Sequence, residues 1–129
     1  MTRQNISSGA KWEDIVGYSR AVRVGNVVEV AGTVAADADG QVIGRNNAGE
    51  QTRFILRKIE KALHEAGATL EDVVRTRIFV TDIRNDWEAI GQAHGEFFGK
   101  IKPASTMLEI GRLVSDEFLV EIEAVARLA

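Results

Sequence analysis

The stretch Val120-Glu-Ile-Glu-Ala-Val-Ala126 constrains the fold more than any other part of the chain. Apolar residues recur at every second position, the period of a strand with one face in a core. The alternate face carries Leu119, Glu121, Glu123 and Val125. That mixture is too apolar for water and too charged for a dry core. A surface shared between copies of the chain, with a polar pocket in it, satisfies both properties.

The remaining elements follow from periodicity and stop signals. Residues 73–81 are β-branched and alternating, a strand. Residues 85–98 form a helix with Trp87, Ile90, His94, Phe97 and Phe98 along one side. Strands are expected over 105–113 and 118–127. Earlier, residues 48–66 place Ile55, Ile59, Ala62, Leu63 and Ala66 at helical spacing, and Gly67 supplies the stop. Thr69-Leu-Glu-Asp72 has the form of a capping box opening one short turn. Residues 18–24 and 27–34 read as a hairpin around Gly25-Asn26. Asp37-Ala-Asp39-Gly40 reads as a turn before a short strand or loop around Val42. The expectation is an α+β fold, a mixed β-sheet with two helices packed on one face.

At 129 residues the chain is expected to be a single domain over 1–129. A net charge of −3 supplies no field for nucleic acid or an anionic membrane. Cysteine is absent, which excludes disulfides and thiolate catalysis. The two histidines, His64 and His94, have no metal-ligand spacing. No metal or other cofactor is expected. The first residues lack the apolar core of a signal peptide and no run reaches membrane length. A cytoplasmic protein with neither membrane nor nucleic acid as partner is the expectation.

Five segments stand out in order: Val16-Gly-Tyr-Ser-Arg20, Val30-Ala-Gly32-Thr33, Arg75-Thr-Arg-Ile-Phe-Val-Thr-Asp-Ile83, Pro103-Ala-Ser-Thr-Met-Leu-Glu-Ile-Gly-Arg-Leu113 and Val120-Glu-Ile-Glu123. Together they resemble the YjgF/RidA family of small trimeric proteins, many of which hydrolyse reactive enamines and imines. The resemblance implies a homotrimer closing through a central barrel, with small-molecule clefts between neighbours. It also implies a role for Glu121, whose counterpart in the deaminases positions or activates the attacking water. Judged without the resemblance, Glu121 and Glu123 read as cross-strand partners of Arg75 and Arg77. The resemblance moves Glu121, and not Glu123, toward the pocket.

The pattern breaks two residues after Pro103. The imine deaminases carry there an arginine that holds the substrate carboxylate, and this chain has Ser105. A guanidinium clamps a carboxylate with two charge-assisted hydrogen bonds, whereas a hydroxyl offers one neutral donor. Met107 replaces a small residue on the same strand face, and Gly91 stands where deaminases often carry asparagine. A standard 2-iminobutanoate deaminase is therefore not expected. Tyr18, Arg20, Gly32 and Thr33 complete the expected binding set with Ser105 and Met107. Arg20 either reaches a ligand anion or pairs at the surface with Asp14 or Glu29. Arg77 is expected to pair with Glu109 or Glu123, Arg112 to be structural, and Trp87 to pack in the core or an interface. Trp12 and His94 have no role that the residues alone decide. The alternative function is a non-catalytic ligand-binding or stress-response module.

Overall fold

The computed structural model describes residues 2–129. In chain order these form β1 (Arg3–Ile6), α1 (Lys11–Val16), β2 (Ala21–Val24), β3 (Val27–Thr33), α2 (Ala48–Glu65), β4 (Val73–Val80), α3 (Ile83–Phe98), β5 (Ala104–Glu109) and β6 (Val120–Arg127). The strands make one mixed sheet in the order β1-β2-β3-β6-β4-β5. Only β4 and β5 run parallel, joined by α3 as their crossover.

Helices α2 and α3 cover one face. Ile55, Leu56, Ile59 and Leu63 of α2 are fully buried against Val28, Val80, Val120 and Ile122 of the sheet. Burying each such side chain contributes about 1.5–3 kcal/mol. Asn47 caps α2 by accepting from the Glu50 N–H at 3.0 Å. The capping box forms: Asp72 Oδ2 accepts from the Thr69 N–H at 2.8 Å, opening the 3-10 turn Leu70–Asp72. The hairpin also forms, with Val24 opposite Val27 and Gly25 at φ 61°.

The N-terminal region departs from expectation. There are three α-helices among the described residues rather than two, and an additional edge strand. The short helix α1 has no buried apolar stripe, because Trp12, Ile15 and Val16 all point outward. What holds it is Glu13, a buried carboxylate that accepts from the Ser7 and Ser8 hydroxyls and the Ser8 N–H. Hydrophobic periodicity cannot reveal such an element. Elsewhere β5 ends at Glu109, because the chain after Ile110 turns away, and Val42 makes only an isolated bridge to Ala36.

The opposite sheet face has no helix of the α2–α3 layer on it. Leu119, Glu121, Glu123 and Val125 all lie there, each half-buried, while Val120, Ile122, Ala124 and Ala126 are buried beneath α2.

Candidate functional site

Glu121 owes its setting to two irregularities. Its cross-strand neighbour on β4 is Phe79, while Arg77 faces Glu123 instead and pairs with it at 3.5 Å. Glu121 thus has no basic partner across the ladder. On the other side, β3 carries a bulge between Val30 and Thr33 relative to β6. The bulge brings Gly32 under the Glu121 carboxyl. A Cβ at position 32 would overlap Oε2 and come within 3.0 Å of Cδ. Glycine is what leaves room for the carboxylate.

Behind Gly32 lies Arg20, which is only 9% exposed. Its Nη2 donates to the Gly32 carbonyl at 2.6 Å, its guanidinium sits 5.6 Å from the Tyr18 ring centre, and its buried Nε has no partner. The surface ion pair with Asp14 or Glu29 does not form, because the side chain turns inward along the bulge. Burial pushes the Glu121 carboxyl above its ordinary value; the Arg20 charge opposes that shift and the Glu123 charge adds to it.

Two side chains of α2 fix this corner, and the sequence reading missed both. Gln51 is fully buried, donates to Glu117 O at 2.9 Å, and accepts from the Leu119 N–H at 2.8 Å. It therefore pins the chain two residues before Glu121. Lys58 Nζ donates to the carbonyls of Val34 and Ala36 at 3.0 and 2.9 Å, just beyond β3. Burial, then the Arg20 charge, pushes Lys58 down to about 8, with Asp37 and Glu13 opposing. A signal for both existed: a glutamine and a lysine whose positions fall on or beside the apolar stripe of a helix.

The other expected residues lie elsewhere. Thr33 is buried on the helix side, opposite Ile122, and its hydroxyl donates to Ala31 O at 2.8 Å. Ser105 and Met107 pair in register with Thr76 and Ile78, whose side chains face the helices. Within one chain they therefore lie on the opposite sheet face from Glu121. Thr76 Oγ1, fully buried, donates to Ser105 Oγ at 2.8 Å and lies 3.0 Å from His94 Nε2. Burial holds the His94 pKa below its ordinary value, with the Phe98 ring 4.7 Å away on the same helix.

The open face also carries a hollow of about 630 Å³, with Tyr18, Glu29, Arg77 and Glu123 in its wall, which does not include Glu121. Trp87 is half-exposed and so is not a core residue, Gly91 is exposed on α3, and Arg112 is exposed between β5 and β6. Among the described residues no group of three or more His, Cys, Asp or Glu side chains is placed to hold a metal ion, and no helix is long and apolar enough to cross a membrane.

Comparison with known proteins decides the family. The family model described as Endoribonuclease L-PSP matches residues 9–128. The chain belongs to the YjgF/RidA family. A RutC family protein of Pyrococcus abyssi is 38% identical over 126 residues, covering 98% of each chain. A crystal structure from Mycobacterium tuberculosis, described as a member of the highly conserved YjgF/YER057c/UK114 family, is 49% identical. It covers 98% of this chain and 100% of its own, with a TM-score of 0.89. The YjgF structure of E. coli is 27% identical with a TM-score of 0.84, covering 98% of this chain and 99% of that one. The family match begins at residue 9, so it takes in α1, the helix least legible in the sequence.

Proposed function

We propose that this YjgF/RidA protein binds a small polar metabolite in clefts between the copies of a homotrimer, and that Glu121 handles a water molecule there. The observation that carries the reading is the Glu121 carboxyl itself. It rests on a glycine made available by a bulge, has no basic cross-strand partner, and is held above its ordinary pKa by burial. A carboxylate so placed takes a proton from water more readily than an ion-paired one. Gly32 lies beneath it, the Arg20 charge acts on it, and Tyr18 packs against Arg20. Ser105 and Met107 belong to an edge strand facing away, so they enter the same cleft only from an adjoining copy.

The open sheet face supports assembly, since half-buried Leu119, Val125 and Ala31 lie on it with no helical layer above. The substrate class would be an imine, enamine or related compound without a free carboxylate, because Ser105 offers no bidentate anchor. An endoribonuclease reading finds less support: the chain is net acidic, and of its two histidines His94 is half-buried among α3 and β4 groups.

The test is a ligand-observed NMR screen of small imines, enamines and carbonyl compounds on the wild type and Glu121→Gln. Turnover lost in the variant with binding retained supports hydrolysis. Binding without turnover in either protein favours the sensing module. No binding to the wild type by any member of the screen sinks both. In the same experiment 2-aminoacrylate, generated by a dehydratase, should decay at its uncatalysed rate.

A further inference from the structure

A hydrogen-bonded chain links three elements on the helix side of the sheet. Ser105 Oγ on β5 lies 2.8 Å from Thr76 Oγ1 on β4, which lies 3.0 Å from His94 Nε2 on α3. The middle hydroxyl is fully buried, and either neighbour alone would satisfy it. Holding both leaves a continuous path from an exposed serine to an imidazole. We propose that Ser105 is a nucleophile toward activated acyl or phosphoryl compounds, its proton drawn off through Thr76 to His94.

The chemistry requires three things that the geometry supplies. Each hydroxyl both donates and accepts, so turning the two O–H bonds makes Ser105 donate to Thr76 and Thr76 donate to His94. When Ser105 Oγ bonds to the electrophilic centre, its proton passes to Thr76 Oγ1 as the Thr76 proton passes to Nε2. The bond to the leaving group breaks, the leaving group departs with the electron pair, and His94 ends as an imidazolium that returns its proton to water. The base must be neutral at the start, which burial favours. Among the described residues no charged side chain bonds to it: Arg53 and Arg57 of α2 interact with Glu96 of α3, Arg75 of β4 turns to Thr106, and Arg77 to Glu123. Finally, Ser105 is exposed on an edge strand, where alternate backbone N–H groups lack a sheet partner and serve as donors to an oxyanion.

This inference stands apart from the role proposed for Glu121, since a reactive reagent brings its own electrophile and needs no water activated by that carboxylate. The probe is an alkyl fluorophosphonate: Oγ–P forms, P–F breaks and fluoride leaves. Labelling is followed by intact mass and peptide mapping across pH 5 to 8. One adduct on Ser105 is expected, forming faster than any on Ser19, whose hydroxyl is bonded only to Asn5 among the side chains. The rate should fall at acid pH as His94 protonates, and drop by at least about tenfold in Thr76→Val and in His94→Gln, the range of a lost general base. Arg84→Ala, an exposed change at the far end of α3 from His94, should label at the wild-type rate. An unlabelled Ser105, or a rate matching Ser19, overturns the proposal. So does a Ser105 rate that neither the two substitutions nor pH alters. If Thr76→Val does not fold, His94→Gln and the wild-type pH profile decide it.

Discussion

Replacing Gly32 by alanine tests whether the Glu121 carboxyl occupies the place described. The new Cβ would overlap Oε2 and lie 3.0 Å from Cδ and 3.4 Å from Cγ. Carbon atoms in contact prefer about 3.5–4.0 Å, so the carboxyl group must swing away by roughly 0.5–1 Å at Cδ, and further at its oxygen. The moving group is the end of a flexible side chain, so the stability cost stays near that of an off-rotamer χ, about 0.5–1.5 kcal/mol. For a chain of this size that lowers Tm by about 4 °C. The effect on the carboxyl is larger in kind. Pushed toward solvent, it loses the burial that raises its pKa, and its titration should move back toward 4.5. The assay is carbon-detected NMR of the Glu121 side-chain carboxyl, assigned with Glu121→Gln, in the wild type and Gly32→Ala. Should Gly32→Ala leave both the melting point and the titration where they were, the carboxyl does not rest on Gly32, and the water-handling role loses its geometric basis.

Glu121→Gln should raise stability at neutral pH and lose that advantage near pH 4. A carboxyl whose folded pKa lies above the unfolded value contributes stability below about 4.5, which disappears as pH rises through the folded value. Thermal melts at both pH values check the sign. His94 acts in the opposite sense: its folded pKa lies below 6.5, so stability is lost as pH falls from 6.5 through the folded value, and His94→Gln should flatten that decline. Sedimentation equilibrium should give about three times the 14.1 kDa chain mass, and a monomer at micromolar concentration would remove the inter-subunit cleft. Lys58→Met should cost about 1–3 kcal/mol in urea denaturation, because the Val34 and Ala36 carbonyls lose their donor.

What the sequence made legible was whatever repeats along one element. The alternation of β6, the helical spacing of α2 and the Gly25-Asn26 hairpin all survive in the structure within a few residues. The pairing of Arg77 with Glu123 was among the expected options, but the freedom of Glu121 was not, because it depends on register: Phe79, rather than Arg75, stands opposite. Arg20 defeated a sound base rate. Most arginines near carboxylates pair at the surface, and this one follows a bulge inward to a carbonyl. The Ser105–Thr76–His94 chain was invisible since it joins residues from three elements that no linear pattern relates. Helix α1 escaped notice because one carboxylate, rather than an apolar stripe, holds it down.

The sheet order has a consequence for how the chain comes together. Strand β6 is the last of the six in sequence, yet it sits between β3 and β4 and is the only strand paired to both. Before it is made, the β1–β3 meander and the β4–β5 pair have no ladder connecting them. During synthesis the two halves therefore wait as separate pieces, each with one long unpaired edge, until residues 120–127 leave the ribosome and slide between them. Because Val27 pairs with Arg127, the closing contact joins residues far apart in the sequence, a pattern associated with slow folding. Truncating β6 would remove a seam rather than an end. Nascent chains stalled just short of it should stay protease-sensitive throughout, with no stably folded fragment on either side.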